Sequence, residues 1–214
     1  MKKMCLERWL EKASKETKEW LKKENRFLKK TIKPNSIVLD VGCGTGRNLK
    51  AIAHLCKEAI GIDKNKKILE MAKENLKEFP KIKLVLGNAA CLPFPNSYFD
   101  FIICMGNTFG MIKNKFQALE EMAKVTKQGG KIIISVYNEK ALNTRVKDYK
   151  IVGHHIIKID EKKGMIWTKE GLVSKQFTRK ELETMFHKLN LKYKTINYKI
   201  INFTPISYLC EVSK

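Results

Sequence analysis

Apolar residues recur at helical spacing from the start of the chain to about Lys33: Leu6, Trp9, Leu10, Ala13, Trp20, Leu21, Phe27 and Leu28, with Lys and Glu between them. Pro34 and Asn35 end this amphipathic helix. Trp9 and Trp20 are expected on its buried side, as packing residues or, in a helical lid, with Trp20 lining the mouth of a substrate site. The pattern then becomes apolar runs alternating with amphipathic stretches. Ser36–Val41 is nearly all apolar, as a parallel strand buried on both faces should be. A helix is expected over Gly46–Leu55, a strand over Ala59–Ile62 ending at Asp63, and a helix capped by Asn65 with Ile68, Leu69, Ala72 and Leu76 inward. Ile82–Leu86 is a third strand and Phe99–Met105 a fourth, with the loop Gly87–Ser97 between them. A helix over Lys115–Thr126 is expected to stop at Gln128-Gly129-Gly130, before a fifth strand over Lys131–Tyr137. This rhythm predicts an α/β fold, a parallel sheet with helices on both faces.

After Asn138 the alternation breaks. A short helix is expected over Asn143–Lys150, then strands over His154–Asp160 and Met165–Thr168 joined at Glu161-Lys162-Lys163-Gly164, and a strand over Gly171–Phe177. Thr178 and Glu181 form a capping-box pair for a helix to about Leu189, and strands over Tyr193–Tyr198 and Ile206–Val212 follow. The reading is one domain: 1–35 a helical lid, 36–137 a core, 138–177 an inserted cap, and 178–214 a closing helix and strands.

Composition adds less. The net charge of +21 rests almost wholly on Lys, with Arg only at Arg8, Arg26, Arg47, Arg145 and Arg179. Specific nucleic-acid contacts recruit Arg, so a solvated lysine surface competes with an RNA-binding face. The cysteines show no C-x-x-C pair and no zinc spacing, which predicts reduced thiols and no metal. No apolar run is long enough to span a bilayer and no signal peptide is seen, so a cytoplasmic protein is expected. Oligomeric state is not indicated.

The chemistry concentrates at Asp40-Val41-Gly42-Cys43-Gly44-Thr45-Gly46, where the first strand turns into a helix. Glycines let the backbone approach a ligand, and the helix start points free N–H groups at the same place. The dinucleotide fingerprint G-x-G-x-x-G/A fails at Arg47. S-adenosylmethionine has an ammonium and no pyrophosphate, so Asp40 beside the turn suits it. Asp63 can accept hydrogen bonds from both ribose hydroxyls, although a helix-capping role is the alternative. Asn88 and Ala89, after the third strand, suit an adenine edge. Val38–Gly46, Gly61-Ile62-Asp63, Gly87-Asn88-Ala89 and Leu92–Asp100 together resemble the ordered motifs of class I S-adenosylmethionine-dependent methyltransferases. The resemblance covers about Ser36–Tyr137. It implies a Rossmann-like seven-stranded sheet with the last strand antiparallel, and cofactor contacts at Asp40, Gly42, Cys43, Gly44, Asp63, Lys64, Asn88, Ala89 and Met105. Many relatives have Asp at the position of Asn88.

The acceptor is less legible, because in-line methyl transfer asks mainly for positioning and exclusion of water. Gly106-Asn107-Thr108-Phe109 resembles the corresponding segment of glycine- and sarcosine-type N-methyltransferases, so Asn107 is the candidate catalytic residue, with a turn cap as its alternative. Trp20, Asn107 and Tyr137 are the candidate acceptor contacts. A small-molecule acceptor, an amine or amino acid, is expected. A tRNA acceptor using the basic surface is the alternative, and a non-catalytic binding module is a third reading. His154 and His155, expected on opposite faces of a strand, are not expected to share a ligand.

Overall fold

The computed structural model describes residues 12–193 and 196–214; Leu6, Trp9 and Leu10 of the expected N-terminal stripe lie outside them. Helix α1 (Lys15–Thr31) starts on Ser14, whose side chain caps Thr17 N. The alternation then runs β1 (Ile37–Val41), α2 (Arg47–Ile52), β2 (Glu58–Asp63), α3 (Lys66–Asn75), β3 (Ile82–Leu86), β4 (Phe99–Cys104), α4 (Thr108–Met111), α5 (Lys115–Val125) and β5 (Thr126–Tyr137). Beyond it lie α6 (Leu142–Ile151), β6 (Ile156–Asp160), β7 (Met165–Thr168), β8 (Val173–Lys175), α7 (Arg179–Tyr193), β9 (Asn197–Thr204) and β10 (Ser207–Ser213).

Seven strands form one sheet in the order β3-β2-β1-β4-β5-β10-β9. The first five are parallel, and β10 runs antiparallel between β5 and β9. Side chains on a strand alternate between faces. Leu39 and Val41 of β1 accordingly pack with Met122 of α5 and Phe186 of α7, while Val38 packs with Trp20 of α1, Leu49 of α2 and Leu69 of α3. Strand order reverses between β1 and β4, and the crevice beyond their carboxyl ends is where such sheets take ligands.

The inserted region forms α6 and a separate antiparallel sheet, β6-β7-β8. It is fixed to the core where Asn138 bridges Phe177. The expected capping box is present: Thr178 N donates to Glu181 Oε2 (2.9 Å) and Glu181 N to Thr178 Oγ1 (3.2 Å).

Two expectations need correction. Helix α5 ends at Val125 rather than at the glycines, and β5 begins at once at Thr126. Tyr98 N is already bonded to Val125 O and Phe99 pairs with Thr126, so sheet pairing captures the chain first. Gly129 and Gly130 bend the strand, pairing with Lys214. Tyr193 closes α7 instead of opening a strand, which starts at Asn197.

Replacing Thr178 by Ala removes one half of the capping box. It is expected to lower stability by about 1 kcal/mol, read as a shifted denaturant midpoint at unchanged slope.

Candidate active site

The glycine turn is built on three left-handed residues, Gly42 (φ 69°), Gly44 (φ 55°) and Gly46 (φ 89°). They serve different ends. A Cβ on Gly42 would overlap Thr108 Cγ2, and one on Gly46 would lie 2.5 Å from Leu76 Cδ1. A Cβ on Gly44 would meet nothing within 4 Å. Gly42 and Gly46 therefore serve packing, and Gly44 faces open space. The turn is anchored by Gly42 N and Cys43 N, which both donate to Ile62 O (2.7 and 3.1 Å).

Asp40 shares the face of Val38 and is fully buried, and neither carboxylate oxygen has a hydrogen-bond partner. Burial pushes its pKa up to about 7, against the opposing pull of Arg47 and Asn48, with Glu24 and Asp63 adding to the rise. Thr45 Oγ1 and Asn48 Oδ1, at the turn and the start of α2, are also buried without partners. Asp63, at the end of β2, ties the turn to the next helix: Oδ2 accepts from Gly44 N (3.1 Å) and Oδ1 from Asn65 N (2.9 Å). Its role is thus partly that of a loop brace, and Asn65 is the cap of α3. Asn88 is exposed, with its oxygen turned back onto Ala90 N (3.0 Å). Ala89 is half-buried beside it, Lys64 is exposed, and Cys43 and Met105 are buried. Burial pushes the Cys43 thiol up, so it stays a protonated packing group.

On the acceptor side, α1 lies over the ends of β4 and β5. Trp20 stacks obliquely on Tyr137, ring centroids 4.6 Å apart, and both are buried. Trp20 Nε1 has no partner. Burial raises the Tyr137 phenol, so it remains protonated at neutral pH. Asn107 has a left-handed backbone (φ 63°) and a buried side chain. Its Oδ1 accepts from Tyr137 N (3.1 Å), and its Nδ2 donates to Ser174 Oγ (3.1 Å). It thus splices the turn after β4 to β5 and to β8, a positioning geometry rather than that of a free acid or base.

Residues not foreseen from sequence complete this side. Fully buried Arg145 of α6 donates to Gly164 O, Gln176 Oε1 and Ser174 O at 2.7–3.1 Å, clamping the cap sheet. One turn later, buried Asp148 accepts from Ser14 N (2.8 Å), Ser14 Oγ (3.0 Å) and Thr17 Oγ1 (2.5 Å), clamping the start of α1. Glu24 of α1 is buried and pairs with Arg47 at 2.6 Å. A signal for it was present: Glu24 falls on the stripe of Thr17, Trp20, Leu21 and Leu28, where a charge needs a buried partner. The histidines need correction. His154 and His155 precede β6, so strand alternation does not separate them, and both Nδ1 atoms lie on the Glu170 carboxylate (3.3 and 2.6 Å). Their hydrogen bonds, His155 foremost, lower Glu170 to about 2. Among the described residues no group of three or more His, Cys, Asp or Glu is placed to hold a metal ion.

Comparison with known proteins agrees with this geometry. A family profile described as a methyltransferase domain matches residues 39–134. A demethylmenaquinone methyltransferase of Lysinibacillus sphaericus is 34% identical over 105 residues, covering 48% of this chain but less than half (44%) of the relative. Another of that name, from Bacillus mycoides, is 29% identical over 186 residues, covering 82% of this chain and 77% of the relative. The solved structure of a SAM-dependent methyltransferase from Aquifex aeolicus superposes with TM-score 0.67 at 15% identity over 98% of both chains. The core of the chain thus matches a methyltransferase domain, and its fold is that of solved SAM-dependent methyltransferases. The residues around the glycine turn fit S-adenosylmethionine, the cofactor that such domains take: a buried carboxylate with no hydrogen-bond partner suits a methionine ammonium, and open space before Gly44 suits close approach.

The two glycines separate experimentally. Gly44→Ala is expected to weaken S-adenosylhomocysteine binding at least about tenfold, by calorimetry, with only about 1 kcal/mol lost from stability. Gly42→Ala is expected to destabilise the fold by more than that, because Thr108 must move as well.

Proposed function

We propose that this chain is a methyltransferase that holds S-adenosylmethionine with Asp40, Gly42, Cys43, Gly44, Asp63, Lys64, Asn88, Ala89 and Met105, and methylates a small planar acceptor of the quinol class in the cytoplasm. The cofactor supplies an electrophilic methyl group on a sulfonium. In this reading Asp40 meets the ammonium, and Asp63 the ribose hydroxyls with the lone pairs its two loop bonds leave free. The observation that carries the acceptor class is the buried Trp20–Tyr137 pair over the ends of β4 and β5. The two rings, tilted at 59° and almost wholly buried, make an apolar, dry wall behind the site that suits an aromatic acceptor and keeps water from the transfer. The names of the two relatives point the same way, to a quinone-type acceptor. The protonated Tyr137 can donate a hydrogen bond to a ring oxygen.

Neither an amine nor RNA is favoured by those names. Exposed lysines occur on α1 and α3 on one side of the sheet, on α5 and α7 on the other, and on the β6–β7 turn, so no one face carries them. No described helix is long and apolar enough to cross a membrane.

Incubation with methyl-labelled S-adenosylmethionine and a reduced demethylnaphthoquinone, small primary amines or undermethylated tRNA separates the readings. Label in a new ring C–CH3 is expected; label confined to amine or tRNA refutes the quinol reading. Trp20→Ala is expected to cut kcat/KM for the quinol about tenfold or more with cofactor affinity nearly unchanged.

Cofactor affinity also carries a pH signature. With the free-protein pKa of Asp40 raised to about 7, the carboxyl is neutral below that pH and ionised above it. A cationic ammonium needs the ionised form, so affinity is expected to fall as pH drops through 7 towards 6 and to level off above 7. Calorimetry of S-adenosylhomocysteine across this range checks it, and Asp40→Asn should bind weakly with no such slope.

A further inference from the structure

Glu24 is a fully buried carboxylate in the helix that covers the site. Its Oε2 takes the Arg47 Nη2 pair at 2.6 Å; its Oε1 accepts from Gly106 N at 2.9 Å and from Ser135 Oγ. Three segments therefore meet on one side chain. Arg47 opens α2 directly after the glycine turn, Gly106 lies in the left-handed turn after β4, and Ser135 stands on β5. Every partner is a donor, so the site is built for the ionised form. None of these bonds is needed to make α1 a helix, which has its own cap at Ser14. Burying a carboxylate and a guanidinium is a poor way to gain stability, since well-packed apolar groups do as well or better. What the arrangement does supply is register. Gly106 is flanked by Met105, at the cofactor end of β4, and by Asn107, the splice to Tyr137 and the cap.

We propose that Glu24 is a positioning residue for methyl transfer, holding the acceptor-side turn at Met105–Asn107 in register with the cofactor-side glycine turn whenever α1 is closed. It acts through the Gly106 amide and through Arg47, without touching the reacting atoms. Glu24, with the weaker bonds of Arg47 to Leu21 O and Asn25 Oδ1 of α1 beside it, thereby couples the covering helix to the cofactor turn. Coupling of this kind is reciprocal: a ligand on the glycine turn steadies α1, and loss of Glu24 removes the charged link, leaving only the Arg47 bonds to Leu21 O and Asn25 Oδ1.

Hydrogen exchange of the full chain with and without S-adenosylhomocysteine tests this, needing no acceptor. In the wild type, the ligand is expected to slow exchange within residues 15–31 about tenfold. In Glu24→Gln an amide NH2 faces Arg47 and the pair is lost. The variant should still bind the ligand at the glycine turn, but its α1 exchange should respond at most about twofold instead of about tenfold. Arg47→Gln should lose the same response, and the double variant should be no worse than either single one, which general loosening of the core would not give. Retention of the α1 response in Glu24→Gln, or losses that simply add in the double variant, overturns the proposal. If Glu24→Gln shows no cooperative melt, Ser135→Ala decides by the same readout: a reduced α1 response supports the coupling, and a wild-type response refutes it.

Discussion

Burying a carboxylate with neither oxygen hydrogen-bonded is unfavourable unless it holds a proton or meets a cation. Asp40 is in that position at the end of the central strand. Its register neighbours, Gly61 on β2 and Ile103 on β4, have no side-chain donor to offer it. Arg47 is near enough to lower its pKa but is spent on Glu24, and the Asn48 side chain nearby lowers it too without reaching good hydrogen-bond geometry. The free protein thus keeps a buried acid beside a turn opened by glycines, and in the proposed reading the group that relieves it is the cofactor's ammonium. The fold tolerates this because Asp40 is surrounded by a close-packed sheet, with Val38, Leu39 and Val41 wholly buried around it.

The covering helix is held by carboxylates as well. Asp148 anchors its first turn, where the helix dipole favours negative charge. Glu24 anchors it two turns on, with the Trp20–Tyr137 contact between the anchors. Arg145, one turn before Asp148 on α6, reaches the other way into the cap sheet through Ser174 and Gln176. A single short helix of the insertion thus ties cap and cover together around Tyr137. A packing helix would be expected to bind through an apolar stripe alone. Here the stripe is interrupted at Thr17 and Glu24 by polar groups that have only one geometry in which they are satisfied.

Most of the core was legible in the sequence, and for a local reason. Apolar runs, the Asn65 cap, the Thr178–Glu181 box and the glycine turn are each written within a few consecutive residues, and the structure has all of them. Errors came where tertiary pairing competes with local signals. The glycine pair at 129–130 marks a helix stop in isolation, yet pairing with Phe99 and Lys214 draws the chain into a strand before it is reached. His154 and His155 were assigned to strand alternation that begins only at Ile156. Of the two bonds Asp63 accepts, that from Asn65 N is local, in keeping with the capping alternative, and only that from Gly44 N depends on the loop after another strand.

The same contrast explains why cofactor and acceptor differ in legibility. The cofactor crevice is assembled from chain reversals at the ends of β1 and β2, where the residues that matter are neighbours in sequence. The proposed acceptor wall is assembled from partners 111 residues apart at Glu24 and Ser135, 134 apart at Ser14 and Asp148, and 67 apart at Asn107 and Ser174. No periodicity or motif encodes such pairs, because each member has an ordinary local reading as a helix, strand or turn residue. Only the burial of a charge or amide on an apolar face hints that a distant partner exists. Acceptor choice can therefore change through a few long-range polar contacts and two aromatic rings while the glycine turn and its buried acid stay as they are, which is how one cofactor fold comes to serve many acceptors.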